Sequence, residues 1–397
     1  MTLFGYGITT KAIAEKFGNC RIYDDKFSAV TLDKDGNEFI ASELFNPDNS
    51  LLEVTSPGIP PSHPLIKSAK NLVSEYDLFS KVMPYSVWVT GTNGKTTTTD
   101  MLGHLLKEKG ALVGGNIGTP LAKLDENAPM WILETSSFTL HYTTLAVPNI
   151  YIILPISPDH ISWHGSFEAY EEAKLKPLQM MQEGEVVILP AKYKDVPTNA
   201  LKLTYENAKD LAEYFDIDIT ELKFKEPFLT DALLALGVSK ILFDELNYDL
   251  INSYEIGKHR IEEFYDQKER LWINDSKATN IDATIAALQS YKDKKIHLIL
   301  GGDDKGAELT PLFLYIANLD VVVYAIGSNK DKISSLCKTY KISSHLSKTL
   351  EKAVEEIAKE HTIDSVAMLS PAAASLDQFK SYAHRGEDFL KFVENLS

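Results

Sequence analysis

Ser86-Val87-Trp88-Val89-Thr90 runs straight into Gly91-Thr92-Asn93-Gly94-Lys95-Thr96-Thr97, and apolar residues then recur at helical spacing through Leu102, Leu105 and Leu106. Strand, glycine loop, Lys-Thr and helix is the order that a phosphate cradle requires. Gly91 and Gly94 let backbone N–H groups turn inward, Lys95 can reach the terminal phosphates of a nucleotide, and the Thr96 hydroxyl can bind Mg²⁺. A full-length loop of this kind would place its first glycine at position 89, where Val stands, so the match is to a shortened form. A plain glycine turn capped by threonines would not need the lysine.

Working outward, short β-branched or aromatic runs alternate with helix-like segments: Arg21 to Tyr23, Leu51 to Thr55, Val87 to Thr90, Trp131 to Leu133, Ile150 to Leu154, Val186 to Leu189, Ile296 to Leu300 and Val321 to Ile326. That alternation predicts an α/β fold of mainly parallel sheets flanked by helices. Breaks at Met83-Pro84-Tyr85 and at Gly257 to Ile261 divide the chain into 1–83, 84–258 and 259–397, in keeping with roughly 100–200 residues per domain. Pro190 to Tyr254 carries mixed charges and weak periodicity.

The 397 residues are 44% hydrophobic and 24% charged, an ordinary globular composition. A formal charge of −16 repels nucleic acid and anionic lipid, so neither is expected as a partner, and a phosphate ligand needs a local positive site. The two cysteines, Cys20 and Cys337, form no disulfide framework, and no stretch approaches the length of a membrane span. A cytoplasmic protein is expected.

Phosphoryl transfer also needs a metal, because charge builds on the transferring oxygens. Carboxylates should therefore stand at neighbouring strand ends. Trp131-Ile132-Leu133-Glu134-Thr135-Ser136-Ser137 puts Glu134 at one, and Ile156-Ser157-Pro158-Asp159-His160 does the same for Asp159 and His160. Taken singly, each is as readily a solvated acid or a helix cap.

Together with Gly115-Asn116-Ile117-Gly118 and Glu134-Thr135-Ser136-Ser137-Phe138, the loop resembles the ATP-binding central domain of the Mur ligases, a pattern that folylpolyglutamate synthase largely shares. The C-terminal third separates the members. Asn274-Asp275-Ser276-Lys277-Ala278-Thr279-Asn280, Leu300-Gly301-Gly302-Asp303-Asp304-Lys305-Gly306 and Leu369-Ser370-Pro371-Ala372-Ala373-Ala374-Ser375-Leu376-Asp377-Gln378-Phe379 are similar to the members that add D-glutamate. The resemblance implies a Rossmann-like first domain for the UDP moiety, a P-loop ATPase-like centre and a Rossmann-like C-terminal domain for the amino acid. It further implies an ATP-dependent ligase, a monomer, that joins D-glutamate to UDP-N-acetylmuramoyl-L-alanine through an acyl phosphate, in the cytoplasmic synthesis of peptidoglycan precursors.

The resemblance also distributes roles. Gly91, Thr92, Asn93, Gly94, Lys95, Thr96 and Thr97 would hold ATP, with Asp231, Arg260 and Asp275 as further nucleotide contacts. Thr96, Glu134, His160 and Lys174 as a carbamate would hold two Mg²⁺ ions, a carbamate turning a cation into an anionic ligand. Without the resemblance, Lys174 beside Glu171 and Glu172 is a helical surface lysine. Asn116 would meet the reacting oxygens and Lys277 the transferring phosphate. Thr9, Thr10, Asp24, Ser56, Gly58, Asn116, Ser137 and His160 would contact the UDP substrate; Leu3-Phe4-Gly5-Tyr6-Gly7 alone is a weak nucleotide fingerprint. Thr279, Lys305, Ser375, Leu376 and Tyr382 would hold D-glutamate.

Three departures stand out. Glu226-Pro227-Phe228-Leu229-Thr230-Asp231 keeps neither asparagine of the family's adenine group, the first domain is short, and Asp304 replaces a glycine usual beside Lys305, adding negative charge near an anionic substrate. A nucleotide switch or motor ATPase would leave the Lys277, Lys305 and Ser375 cluster without purpose, and an NAD oxidoreductase would rest on Gly5 and Gly7 alone.

Overall fold

The computed structural model describes residues 1–116 and 118–396. Ile117, within the Gly115 to Gly118 stretch, lies outside the described residues. Among the described residues, eighteen strands form three six-stranded sheets. The first comprises β1 (Thr2–Phe4), β2 (Arg21–Asp24), β3 (Thr31–Leu32), β4 (Glu38–Ala41), β5 (Glu53–Thr55) and β6 (Leu72–Val73), in the order β3-β4-β2-β1-β5-β6. The second comprises β7 (Tyr85–Thr90), β8 (Ala111–Gly115), β9 (Met130–Glu134), β10 (Ile150–Ile153), β11 (Val186–Pro190) and β12 (Leu201–Tyr205), ordered β12-β11-β10-β7-β9-β8. The third comprises β13 (Glu262–Tyr265), β14 (Leu271–Asn274), β15 (Ile296–Leu300), β16 (Val321–Ile326), β17 (Ser343–Lys348) and β18 (Val366–Leu369), ordered β13-β14-β18-β15-β16-β17.

Pairing is parallel except at β3–β4 and β13–β14. The central strands carry the sequence signature of sheets covered on both faces: β9 (Met-Trp-Ile-Leu-Glu), β15 and β16 are buried at every residue. All eight strand-like runs named from the sequence contain strands. The second of them begins only at Glu53, since Leu51 is exposed.

The chain divides into two compact units, Met1–Tyr254 and Glu255–Ser397. In the first, one core runs from Leu3, Ile22 and Val54 of the first sheet through Tyr76 and Phe79 to Trp88, Trp131 and Tyr151 of the second. Pro190 to Tyr254, featureless as sequence, supplies β12 and a sixteen-residue helix, Phe228–Phe243, that packs against helix Lys95–Leu106. In the second unit the two faces of the third sheet are separate cores, around Leu298 and Phe313 on one side and Trp272 and Phe389 on the other.

Topology sets where ligands fit. In the central sheet β7 lies between β9 and β10, where the chain's direction of strand addition reverses, and ligands of open α/β sheets sit outside the carboxyl ends of strands at such a point. In the third sheet the three stretches singled out in the C-terminal third leave the carboxyl ends of adjacent strands, β14, β18 and β15.

Candidate active site

The phosphate loop leaves β7 at Thr90 and enters helix Lys95–Leu106 directly at Gly94. Two glycines are obligatory here. Gly91, at φ 145°, would put a Cβ 2.5 Å from Leu154 Cβ, and Gly94, at φ 83°, would put one 2.8 Å from Asp231 Oδ1. The helix therefore offers its free N-terminal amides to an anion. Lys95 Nζ donates to the loop's own carbonyls, at 2.9 Å to Gly91 and 2.8 Å to Thr92. The Thr92 hydroxyl donates to Ser157 O at 3.0 Å and lies 3.1 Å from Tyr170 Oη, tying the loop to the segment after β10 and to helix Phe167–Leu175.

Lys174, on that helix, is not the surface lysine its acidic neighbours suggest: it is 1% exposed. Its Nζ donates to Gly91 O at 2.8 Å and to Thr90 Oγ1 at 3.2 Å, 4.8 Å from the centre of the Tyr170 ring. Burial, and then the neighbouring Lys95 charge, hold its amine well below the ordinary lysine value, against the pull of Asp159 and Glu134. The lowered value makes the uncharged, nucleophilic form of this amine easier to reach than that of a solvated lysine.

Glu134 ends β9 and is 2% exposed; Asn116 Nδ2 donates to its Oε1 at 2.6 Å. Tyr76 holds the same strand end, its hydroxyl 3.2 Å from both Glu134 O and Thr135 Oγ1. Among the described residues Glu134 Oε2 is buried with no hydrogen-bond partner, an arrangement that a cation would satisfy. No cluster of three or more His, Cys, Asp or Glu side chains suited to a metal occurs among the described residues. His160 sits at φ 53°, a left-handed conformation that costs a non-glycine residue and that its own N–H pays for by donating to Asp159 Oδ1 at 2.8 Å. Its ring lies 4.7 Å from that of Phe138, one residue beyond Ser137. Ser137 Oγ is 3.0 Å from His164 Nε2; burial pushes that imidazole down to about 4.

Asp231 stands beside the loop: its Oδ1 accepts from Thr98 Oγ1 at 2.8 Å and is the atom that a Cβ on Gly94 would meet. A cavity of about 220 Å³ opens beside Asn116, lined also by Thr9, Thr55, Pro57, Glu75 and Tyr142. Thr9 and Asn116 thus share one space. Thr10, in contrast, is buried with its hydroxyl donating to Gly5 O at 2.6 Å. Asp24 accepts from Tyr6 N at 2.6 Å and Lys26 N at 2.9 Å, which shapes the first loop, and Ser56 N donates to Phe4 O. Gly58 is exposed on the following turn.

In the second unit Asp275 is buried, accepting from Ser370 Oγ at 2.7 Å and Ile261 N at 3.2 Å. Burial pushes its carboxyl up to about 7 despite those bonds and the charges of Arg260 and Arg385. Arg385, which sequence reading missed, is 1% exposed and donates to Ser276 Oγ, Ser276 O and Ala373 O at 2.8–3.1 Å, holding two of the signature loops from behind. Lys277 Nζ lies 5.5 Å from the centre of the Tyr382 ring. Thr279, Lys305 and Leu376 are exposed and Ser375 is buried. Arg385 gave no signal, being one more charge in a helix; Tyr170, four residues before Lys174 and so on the same helical face, could have been found by spacing.

Residues 89–228 match the Mur ligase middle domain and residues 259–373 the Mur ligase glutamate ligase domain. The chain is 53% identical over 400 residues to the UDP-N-acetylmuramoylalanine–D-glutamate ligase of Campylobacter jejuni, covering 100% of both chains. It is 45% identical over 417 residues to the enzyme of that name from Helicobacter pylori, covering 99% of each. Among solved structures, the MurF ligase of Thermotoga maritima in complex with ADP matches with a TM-score of 0.59 at 16% identity, over 86% of this chain and 88% of that one. The UDP-N-acetylmuramate-alanine ligase MurC of the same organism matches at 0.57 and 16%, over 98% of each chain; at such identity the likeness is one of fold. With both domain types in order and full-length relatives well above chance identity, this chain belongs to the Mur ligase family.

Proposed function

We propose that the protein is an ATP-dependent ligase that joins D-glutamate to UDP-N-acetylmuramoyl-L-alanine in the cytoplasmic synthesis of peptidoglycan precursors, acting as a monomer. The observation that carries this is the similarity, 53% and 45% identity over essentially the whole chain, to proteins named as D-glutamate ligases. The residues divide the labour as follows. Gly91 to Thr97 and the N-terminus of helix Lys95–Leu106 hold the phosphates of ATP, and Lys95 moves from the loop carbonyls onto the γ-phosphate. The L-alanyl carboxylate of the substrate, entering from the cavity shared by Thr9 and Asn116, is turned toward that phosphate by Asn116, which Glu134 orients. Its oxygen attacks the γ-phosphorus, the bond to ADP breaks, and an acyl phosphate results. The amine of D-glutamate then attacks the acyl carbon; inorganic phosphate leaves and the amine loses a proton as the amide forms.

Glu134, Thr96 and His160 would hold Mg²⁺, together with Lys174 once its amine, deprotonated, has added CO₂ with release of a further proton. Bound there, the metal supplies charge neutralisation at the transferring phosphoryl oxygens. In the second unit Arg260 and Asp275 face the nucleotide, Lys277 the transferring phosphate, and Thr279, Lys305, Ser375, Leu376 and Tyr382 the D-glutamate.

The test is ADP release with UDP-N-acetylmuramoyl-L-alanine and ATP, with and without D-glutamate, with L-glutamate and a folate substrate as controls. Turnover only with D-glutamate is expected. Turnover with the folate, or ATP hydrolysis indifferent to both substrates, would refute the assignment.

A further inference from the structure

We propose that Asp304 and Lys332 form a charge-neutral clip that fixes the shape of the Lys305 loop, so that both are positioning residues for D-glutamate. The inference rests on the reading of Lys305 as a contact of the substrate carboxylate. It concerns one compact unit, Glu255–Ser397, and residues that none of the assigned roles above uses.

Lys305 stands at φ 49°, in the left-handed region, and Gly306 follows at φ 78°. A lysine keeps that conformation only where its surroundings over-determine it. Asp304 supplies the determination on one side: its Oδ1 accepts from Gly306 N at 2.9 Å, closing a turn around Lys305. Its Oδ2 accepts from Lys332 Nζ at 3.0 Å and from Asn329 Nδ2 at 3.2 Å. Lys332 supplies the other side, since the same Nζ donates to Ala307 O at 2.6 Å. One ammonium thus grips the chain both before and after Lys305. Asn329 and Ser328 extend the hold to Gly302, Asn329 Oδ1 accepting from its N–H at 3.0 Å and the Ser328 hydroxyl donating to its carbonyl at 2.8 Å.

The charges make the arrangement more than a brace. Burial pushes the Asp304 carboxyl up, but the bonds from Lys332, Asn329 and Gly306 outweigh it and leave the group below its ordinary value, hence ionised. An ionised carboxylate next to a site for a dicarboxylate repels the ligand unless its charge is cancelled. Lys332 cancels it. The extra negative charge that Asp304 brings by sequence is therefore used up inside the loop. Removing Lys332 should do two kinds of harm, loosening the turn and baring the Asp304 charge, while removing Asp304 does only the first.

That asymmetry gives a signed test. Steady-state KM values for D-glutamate and for UDP-N-acetylmuramoyl-L-alanine are measured on the full chain and on Lys332→Met, Asp304→Gly, their double variant and Lys332→Arg, with thermal melts alongside. Lys332→Met should raise the D-glutamate KM about tenfold and Asp304→Gly about threefold, the range of partly exposed charge pairs. The double variant should fall back to about the level of Asp304→Gly, Lys332→Arg should stay near the parent, and 0.5 M salt should shrink the Lys332→Met defect. KM for the UDP substrate and kcat should change by less than about twofold throughout. A double variant as impaired as Lys332→Met, or all KM values rising together with falling melting temperatures, would overturn the clip. Should Lys332→Met not fold, the exchange Asp304→Lys with Lys332→Asp replaces it, and failure of that exchange to restore the D-glutamate KM overturns the clip equally. Lys305→Ala in the same assay separates the levels: an unchanged D-glutamate KM there refutes the underlying reading, whereas a raised one beside parent-like clip variants refutes the clip alone.

Discussion

Around the phosphate loop Lys174 and Glu134 are buried, and Lys95, half-buried, is held by two carbonyls of its own loop. Around the Lys305 loop the side chains expected to meet the amino acid, Thr279, Lys305 and Leu376, are exposed, and the groups that brace the loops are Asp304, an exposed Lys332 and the buried Arg385. On the proposed roles, the difference follows from what each region would do. Stabilising charge that develops in a transition state requires preorganised groups in low dielectric, where they cost no reorganisation at the moment of reaction. Choosing an amino acid requires only groups that the ligand itself desolvates, on a backbone fixed in advance.

The comparison predicts how hard each region can be hit. Lys95→Ala should lower kcat by on the order of 10³-fold or more, since phosphoryl transfer relies on positioned charge, with an unaltered melting temperature because the loop lysine packs no core. Near-parental kcat would break the assignment of the dry region. Lys174→Ala should cost about 10²–10³-fold, comparable to losing one preorganised stabilising group, and a short carboxylate such as acetate should restore part of it. The chemical signature is a carbamate carbon in the NMR spectrum of active enzyme equilibrated with ¹³C-bicarbonate; active enzyme lacking it would leave the buried amine without its proposed use.

Dryness also has a cost within the second unit, away from its loops. His297 is fully buried, its Nδ1 3.1 Å from Tyr324 Oη and its Nε2 without a partner among the described residues, with the His361 ring 5.6 Å away. Burial, and then the neighbouring histidine, push His297 down to about 4. A depressed imidazole leaves the unfolded chain binding more protons below its free value of about 6.5, so stability present above that pH is lost as pH falls toward 4, by up to about 3 kcal/mol for His297. The urea midpoint of the second unit should therefore drop between pH 7 and 4.5, and His297→Phe should flatten the slope even if it lowers the plateau. An unchanged slope would show that these histidines do not titrate on unfolding.

The two regions were also unequally legible. Strand, loop, lysine and helix are contiguous, so the phosphate site could be placed from residues 86–106 alone, and β9 ends at Glu134 as its apolar run suggests. The burial of Lys174 could not, because Glu171 and Glu172 beside it are polar and the groups that receive its amine, Thr90 and Gly91, lie 84 and 83 residues away. Asp231 shows the same limit in reverse: its bond to Thr98 depends on a helix from the stretch of weak periodicity. In the second unit the loop sequences were visible, but what holds them was not, since a buried Arg385 and a paired Lys332 look like solvated charges until the sheet brings three strand ends together.

Lys305 is where the comparison is most open to refinement. D-Glutamate brings two carboxylates, and one that reaches a partly desolvated pocket must be paired there, because an unpaired buried charge is worth several kcal/mol against binding. The left-handed backbone at Lys305 presents the residue at the tip of its loop, and its amide is tied to Asp303 Oδ1 at 3.0 Å, so replacing the side chain leaves the turn intact. Lys305→Ala should then remove one charged contact and nothing else, about 1.5–3 kcal/mol, which corresponds to a roughly 10- to 150-fold rise in the D-glutamate KM. The KM for UDP-N-acetylmuramoyl-L-alanine should hardly move, because the cavity with Thr9 and Asn116 belongs to the other unit. A variant in which the UDP-substrate KM rises and D-glutamate is unaffected would mean that this exposed loop serves the donor, and the contrast between a dry catalytic region and a wet selecting one would have to be redrawn.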